Sequence, residues 1–372
     1  MKSMFKKRIR FLHLWLGLIT GVIVFIVAIT GCVYAFQEEI QNATQDYRFV
    51  ERQAKPMLAP SVLESIARSV LPDKTLHALK YNTPDKSVEA IFYSYEPDYY
   101  YIVYLNPYTG KVIETVNLDE TFFHFILDGH FYLWLPRELG QTVVASATLI
   151  FILMLISGII LWWPKNKKAA KQRFWFRWKD GMKWKRKNYD LHNITGFYIS
   201  WLALIFALTG LVWGFQWFAF TYYKAAGGEK SLVYEDPGSQ KNLLDKVPNP
   251  VDKVWLQMRR TYPQAQSIEV HPPENDTMSI AANANPESGT YWKIDYRYYD
   301  QYSLKEKKVS HIYGRFPEAT PSDKLLRMNY DIHTGAILGL PGKILAFCIS
   351  LLVASLPVTG VMIWLGRRKK QH

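Results

Sequence analysis

The sequence predicts a multipass α-helical membrane protein with four transmembrane helices, internal duplication and two extracytoplasmic α+β domains. Four apolar runs are long enough to cross a bilayer, which takes about 20 residues. A long segment recurs later in the chain, and basic residues are concentrated in three places. The chain of 372 residues is 49% hydrophobic, so it has enough apolar residues for four such helices.

The first apolar run returns 179 positions later in the chain. When residues 12–37 are aligned with 191–216, ten of the 26 positions are identical. The identities include a histidine and a Thr-Gly pair, which apolar composition alone does not explain. A second match, at an offset of 202, relates the second apolar run to the fourth. We therefore predict the order helix, outside domain, helix, repeated twice.

The basic residues predict which side of the membrane each segment faces. Residues 1–10 carry five Lys or Arg, 164–188 carry eleven with one acid, and 366–372 carry four. The positive-inside rule makes these three segments cytoplasmic, so both termini are predicted inside. This arrangement, with anionic lipid as partner, explains the net charge of +13 without nucleic-acid binding.

The predicted boundaries alternate between membrane and water. In chain order they are 1–37 (cytoplasmic N-terminus and first helix), 38–138 (first outside domain and interfacial connector), 139–163 (second helix), 164–188 (basic cytoplasmic loop), 189–220 (third helix), 221–336 (second outside domain), 337–365 (fourth helix) and 366–372 (cytoplasmic tail).

Each outside domain is predicted to be one helix packed on its own small antiparallel sheet. Ser61 is the predicted N-cap of the first helix, with Glu64 three residues later, and the second helix is predicted over 251–262. Alternating apolar residues and turn signals predict the strands. These strands are 87–95, 99–105, 111–116, 277–282 and 291–299.

Composition excludes several kinds of site. The two cysteines, Cys32 and Cys348, both fall in apolar helices, so no disulfide framework, zinc cluster or Cys-x-x-Cys-His attachment is predicted. No glycine-rich phosphate loop for a flavin or nicotinamide cofactor is present. No residue pair suggests a nucleophile with a base, and no catalytic side chain is predicted.

Four of the nine histidines occupy matched positions. His13 and His192 lie near the cytoplasmic ends of the first and third predicted helices. His130 and His333 lie shortly before the second and fourth predicted helices in the chain. An imidazole in or near a bilayer is costly without a partner. One such histidine is explained equally well by a hydrogen bond to a carbonyl, but two matched pairs favour ligation.

Haem iron suits such pairs because it takes only two axial ligands from the protein. A zinc site needs further ligands, and no Asp, Glu or Cys lies at matching depth. A helix rises about 1.5 Å per residue, so inner and outer histidines are too far apart to share one haem. We predict two bis-histidine haems b, an inner one on His13 and His192 and an outer one on His130 and His333, with His124 as an alternative ligand.

Two haems at opposite faces predict electron transfer across the membrane, with the protein supplying ligands and burial. Gly17 and Gly21 follow His13 at four-residue steps on one helix face. Small residues there leave room for a flat group or, alternatively, let two helices approach closely.

Several motifs spread along nearly the whole chain carry a resemblance to a known family. They are Leu12-His13-Leu14-Trp15-Leu16-Gly17, Tyr104-Leu105-Asn106-Pro107-Tyr108-Thr109-Gly110-Lys111, Ser157-Gly158-Ile159-Ile160-Leu161-Trp162-Trp163-Pro164, Leu191-His192-Asn193, Tyr330-Asp331-Ile332-His333-Thr334-Gly335 and Pro357-Val358-Thr359-Gly360. In these motifs the chain resembles the PepSY-associated transmembrane proteins of bacteria, which include periplasmic ferrisiderophore reductases.

The resemblance implies an inner-membrane protein of iron acquisition, with PepSY-like outside domains, that binds two haems b and reduces Fe(III)-siderophores in the periplasm. Reduction releases the iron because hard oxygen donors prefer Fe(III). The electron donor, a quinol or a cytoplasmic reductase, stays open.

Two other functions stay open as well. The first is a non-redox membrane protein that binds or regulates an envelope peptidase or an iron-uptake partner. The second is movement of haem or siderophore through the membrane, although the helices lack the charged interior residues that such a path needs.

Overall fold

The computed structural model describes residues 2–164, 166–241 and 247–368. The end of the predicted tail, from residue 369, and position 165 of the basic loop lie outside this range. Two units make up the chain. The membrane unit comprises the described parts of Met1–Gln37, Phe125–Tyr222 and Asn329–His372, and the sheet unit comprises Glu38–His124 and Tyr223–Met328.

The described residues contain helices of very different lengths. In chain order they are α1 Lys2–Tyr34, α2 Gln37–Thr44, α3 Pro60–Val70, α4 Phe122–Tyr132, α5 Arg137–Trp162, α6 Lys167–Arg173, α7 Trp184–Asp190, α8 Gly196–Gly214, α9 Gln216–Ala225, α10 Pro250–Thr261, α11 Pro321–Arg327, α12 Asn329–Thr334 and α13 Gly339–Arg368. A π-helical turn, Leu191–Thr195, joins α7 to α8.

The strands all belong to the sheet unit. They are β1 Leu76–Tyr81, β2 Val88–Tyr95, β3 Asp98–Leu105, β4 Val112–Asn117, β5 Ser267–His271, β6 Ile280–Asn285, β7 Asp295–Tyr299 and β8 Glu306–Lys307.

Four helical stretches of the described chain are long and apolar enough to cross a membrane. They are Met4–Tyr34, Arg137–Trp162, Trp184–Gly214 and Ala336–Arg367. A helix suits this environment because it satisfies its backbone hydrogen bonds internally. The prediction of four membrane helices is confirmed. The third begins inside the segment predicted as a basic loop, because α7 and the π-helical turn continue directly into α8.

Within the membrane unit, α1 packs against α5 and α13, and α5 packs against α8. Gly17 and Gly21 lie at these contacts. A Cβ atom on Gly17 would lie 2.9 Å from Cε of Met154, and one on Gly21 would lie 3.3 Å from Cβ of Pro357. These contacts favour the interpretation of this glycine face as a place of close helix packing.

The sheet unit is built on one eight-stranded sheet with the order β4-β3-β2-β1-β5-β6-β7-β8. Strands of the first outside segment form one half and strands of the second form the other. Antiparallel pairing of β1 with β5 joins the halves, with Leu79 opposite Val270 and Tyr81 opposite Ile268. The sequence predicts a separate sheet for each segment. The difference arises because the strands that pair across the two halves, β1 and β5, are both absent from the predicted strands.

A single core lies between this sheet and the helices α3 and α10. Leu63 and Ala67 on α3 and Val254 and Met258 on α10 are fully buried in it. The rings of Tyr81 and Trp255 contact each other across it, with centroids 4.7 Å apart. Apolar burial of this kind is the main stabilising contribution to such a unit.

The two outside segments also meet at the start of α3. This helix begins at Pro60, so Ser61 lies in its first turn, and the prediction that Ser61 is the N-cap is wrong. The backbone N–H of Ser61 donates to Oδ1 of Asp252 at 2.7 Å, and its hydroxyl donates to Oδ2 at 2.6 Å. A carboxylate on α10 thus binds a first-turn N–H of α3 that has no partner within its own helix.

Replacing Asp252 with Ala is expected to destabilise α3 by about 1–2 kcal/mol, because it removes a charged acceptor at a helix N-terminus. Hydrogen exchange of residues 60–70 in the full-length protein should then be about 5- to 30-fold faster.

Glu64→Ala is the matched control for this prediction. Glu64 forms an i,i+4 pair with the partly exposed Arg68 at 2.9 Å, and loss of such a pair costs about 0.5 kcal/mol or less. Equal exchange in the two variants would contradict the role of Asp252.

Candidate functional site

The structure brings the four matched histidines together as two pairs in the membrane unit. His130 on α4 and His333 on α12 have ring centroids 6.1 Å apart. His13 on α1 and His192 on the π-helical turn have ring centroids 6.5 Å apart. The π-helical turn is a local departure from regular helix at a ligand candidate, which is where such turns are often found.

His130 and His333 line a cavity of about 430 Å³ between α1, α5, α8 and α13. Pockets of this size accommodate small organic ligands. Most of the lining is apolar, with small side chains such as those of Ala28, Ala145 and Ala207. Both histidines lie outside the four membrane-spanning stretches. Burial lowers the pKa of each, that of His333 to about 3, so both rings are neutral at neutral pH.

Each of the four imidazoles makes a hydrogen bond through Nδ1 to the hydroxyl of a Ser or Thr on another helix. The four pairs are His13 with Ser157 at 2.8 Å, His130 with Thr30 at 3.2 Å, His192 with Thr359 at 2.9 Å, and His333 with Thr209 at 2.9 Å. The same contact is therefore made four times.

Backbone carbonyls decide which ring nitrogen carries the proton. Each hydroxyl donates its own hydrogen to a carbonyl of its helix, as Thr209 does to Ile205 at 2.8 Å, so it is left to accept from the imidazole. The backbone carbonyl of Val27 also accepts from Nδ1 of His130, at 2.9 Å.

An oxygen that only accepts requires the proton on Nδ1, so in the neutral form of each ring Nε2 keeps its lone pair. A neutral imidazole whose other nitrogen donates to a hydrogen-bond partner is the usual metal-binding form of histidine.

A glycine follows each of the four hydroxyl residues, and the imidazole edge lies against it. A Cβ atom on Gly31 would lie 3.1 Å from Cε1 of His130, and one on Gly210 would lie 3.2 Å from Cε1 of His333. The corresponding distance is 3.4 Å from Gly158 to His13 and from Gly360 to His192. We call each hydroxyl residue with its following glycine a histidine seat: Ser157-Gly158, Thr30-Gly31, Thr359-Gly360 and Thr209-Gly210.

The separations of the rings suit one metal between each pair. Two imidazoles bound on opposite sides of a metal, at about 2 Å per bond, have ring centres about 6 Å apart. The described residues contain no group of three or more His, Cys, Asp or Glu side chains that could hold a metal ion. A haem fits a site with two protein ligands because the porphyrin supplies the other four donors.

The alternative ligand His124 lies in the sheet unit. Its Nε2 is 3.8 Å from Oδ1 of Asp119. His124 is not among the residues that line the cavity of His130 and His333.

Sequence reasoning found the four histidines but not their hydroxyl partners. The signal was present, because Thr30-Gly31 and Thr209-Gly210 coincide at the offset of 179, and Ser157-Gly158 and Thr359-Gly360 coincide at the offset of 202. These repeats do not indicate which residue each dipeptide contacts.

The fold and the paired histidines thus define a multipass membrane protein that also contains an eight-stranded sheet unit. Residues 10–367 match the family described as the PepSY-associated TM region, and the chain belongs to that family. The family predicted from the motifs is confirmed. A comparison with curated proteins finds no match.

The seats predict opposite effects for two glycine-to-alanine changes. Gly31→Ala places a methyl group 3.1 Å from His130, so we expect overpacking that destabilises the chain by about 1–3 kcal/mol. Gly158→Ala makes an ordinary contact at 3.4 Å and gains helix propensity, so we expect no loss and a gain of up to about 1 kcal/mol.

Thermal unfolding of the detergent-purified chain measures both changes. Gly210→Ala and Gly360→Ala form an independent matched pair in the second half of the chain. Shifts of the same sign and size within each pair would contradict this account of the seats.

Proposed function

We propose that this protein is an inner-membrane di-haem b electron-transfer protein that reduces Fe(III)-siderophores in the periplasm. The observation that supports this most is the fourfold repetition of the histidine seat. It places the proton of each ring on Nδ1 and leaves Nε2 of the neutral ring available, in two pairs whose ring centroids are 6.1 and 6.5 Å apart.

His13 and His192 would hold the inner haem, and His130 and His333 the outer one. Haem b supplies one-electron chemistry when it is bound. The seats keep each imidazole in one tautomer and orientation, which raises its basicity as a ligand. The apolar lining of the outer cavity limits the access of water and thereby tunes the reduction potential.

Electrons would pass from the cytoplasmic side, from a quinol or a cytoplasmic reductase, to a ferric chelate outside. One electron converts Fe(III) to Fe(II), and the oxygen donors of a siderophore then hold the metal less tightly. Membership of the PepSY-associated family and the resemblance to ferrisiderophore reductases support this substrate. The basic segments favour cytoplasmic termini and contact with anionic lipid.

The non-redox alternative, binding or regulation of an envelope peptidase or iron-uptake partner, draws on the sheet unit. It assigns no role to four imidazoles that each make the same hydrogen bond to a hydroxyl on another helix. The two functions differ in whether the purified protein contains redox-active haem.

Removing one ligand from each pair is expected to remove one haem at a time. Wild-type protein should contain two haems per chain, by pyridine haemochrome, with sharp low-spin bands after reduction. His192→Ala should lose the inner haem and His333→Ala the outer one, because one axial ligand does not hold a low-spin haem.

His124→Ala is the control and should keep both haems. A colourless wild-type protein from haem-replete cells would overturn the proposal and favour the non-redox alternative.

Reduced protein is expected to pass electrons to ferric tris-acetohydroxamate, a model of a hydroxamate siderophore. The haem bands should return to the oxidised form, and an Fe(II) chelator should trap one iron per electron. His333→Ala should slow this transfer at least about tenfold, since loss of even a hydrogen-bond partner of a metal ligand typically costs 10- to 100-fold. Transfer at the wild-type rate in that variant would argue against the outer pair as the exit site.

A further inference from the structure

Two asparagines donate hydrogen bonds to the histidine seats that contact His192 and His333. Asn188 lies four residues before His192, and its Nδ2 donates to the backbone oxygen of Thr359 at 3.1 Å. The hydroxyl of Thr359 is the group that meets Nδ1 of His192. One residue of α13 is therefore bound at two points by a segment about one helical turn long.

The same arrangement occurs at the other pair. Asn329 lies four residues before His333, and its Nδ2 donates to the backbone oxygen of Thr209 at 3.0 Å. Thr209 also supplies the hydroxyl for Nδ1 of His333. The two sites thus repeat the same two hydrogen bonds to one threonine, from the histidine to its hydroxyl and from the asparagine to its carbonyl.

The orientation of each amide follows from its partner. A carbonyl only accepts, so the NH₂ group of each asparagine must face the threonine and Oδ1 must turn away. Asn188 and Asn329 are each 3% exposed. Within the described part of the chain, Oδ1 of each is buried without a hydrogen-bond partner. A buried unpaired acceptor is costly, and the chain tolerates it at two matched places.

Among the residues that the structure describes, the histidines of the first half have no such support. The residues four positions before His13 and His130 are Ile9 and Ile126, whose side chains have no donor. Each pair therefore combines two kinds of histidine. The seat of one is bound by an asparagine as well as by the ring, and the residue four positions before the other has no donor to bind its seat.

We propose that Asn188 and Asn329 are positioning residues that make His192 and His333 the rigid ligands of the inner and outer haem. This inference rests on the proposed haem function. Each asparagine acts through its threonine, so its removal affects the haem of its own pair and leaves the other haem unchanged.

The test compares four variants of the full-length protein. Asn188→Leu and Asn329→Leu keep the approximate shape but remove the donor, and Ile9→Leu and Ile126→Leu are the matched controls. Haem transfer to excess apomyoglobin gives the rate of haem loss, and the electron paramagnetic resonance of the ferric protein reports the orientation of the axial ligands.

We expect one of the two haems to leave at least about tenfold faster in each asparagine variant, with altered low-spin g values for that haem alone. The isoleucine variants should stay within twofold of wild type. General destabilisation would instead lower the unfolding temperature and speed the loss of both haems. If a leucine variant does not fold, the corresponding alanine variant replaces it.

The outcomes separate the two proposals. Wild-type protein without haem overturns the proposed function and this inference together. Two haems in wild type, with asparagine variants that match the isoleucine variants in rate and g values, overturn this inference alone.

Discussion

The contact between an imidazole Nδ1 and a hydroxyl on another helix is the interaction on which the membrane unit depends. A histidine among apolar helices needs an acceptor for its N–H, and where water is excluded only the protein supplies one. The seats provide it with a hydroxyl whose own hydrogen is already bound within its helix, and the following glycine makes room for the ring edge. Because this settles the tautomer, it also leaves Nε2 available for a metal.

The seats also link the helices to one another. The first helix, α1, carries His13, and the seat of His13 lies on α5. Helix α1 also provides the seat for His130, which lies just before α5 in the chain. In the second half, α8 continues from the turn that carries His192, and the seat of His192 lies on α13. The same helix, α8, provides the seat for His333, which lies just before α13 in the chain. Each helix pair is therefore bound in both directions. Packing and ligand geometry depend on the same contacts, so changes at a seat affect stability and the proposed cofactor together.

The sheet unit shows where sequence reasoning was limited. Strands β2 and β3 were predicted to within one residue, because both are rich in aromatic and β-branched residues. Strand β1 was missed because a bulge between Leu76 and Ala78 interrupts the alternation of its side chains. Strand β5 has only five residues. These two strands join the halves, so missing them turned one sheet into two. The assignment of Ser61 as a cap failed similarly, since its partner Asp252 lies 191 residues away.

The sequence by itself determined the four membrane helices, the family and the four matched histidines, because hydropathy, repeats and motifs are properties of contiguous segments. Only the tertiary structure decided which hydroxyl meets each ring, that the ring centroids of each pair lie 6.1 or 6.5 Å apart, and that two asparagines support the seats. The hydrogen bonds from the rings to the hydroxyls join residues 100 to 167 positions apart. A repeat indicates that two such residues matter, but only the packing of the helices determines what they touch.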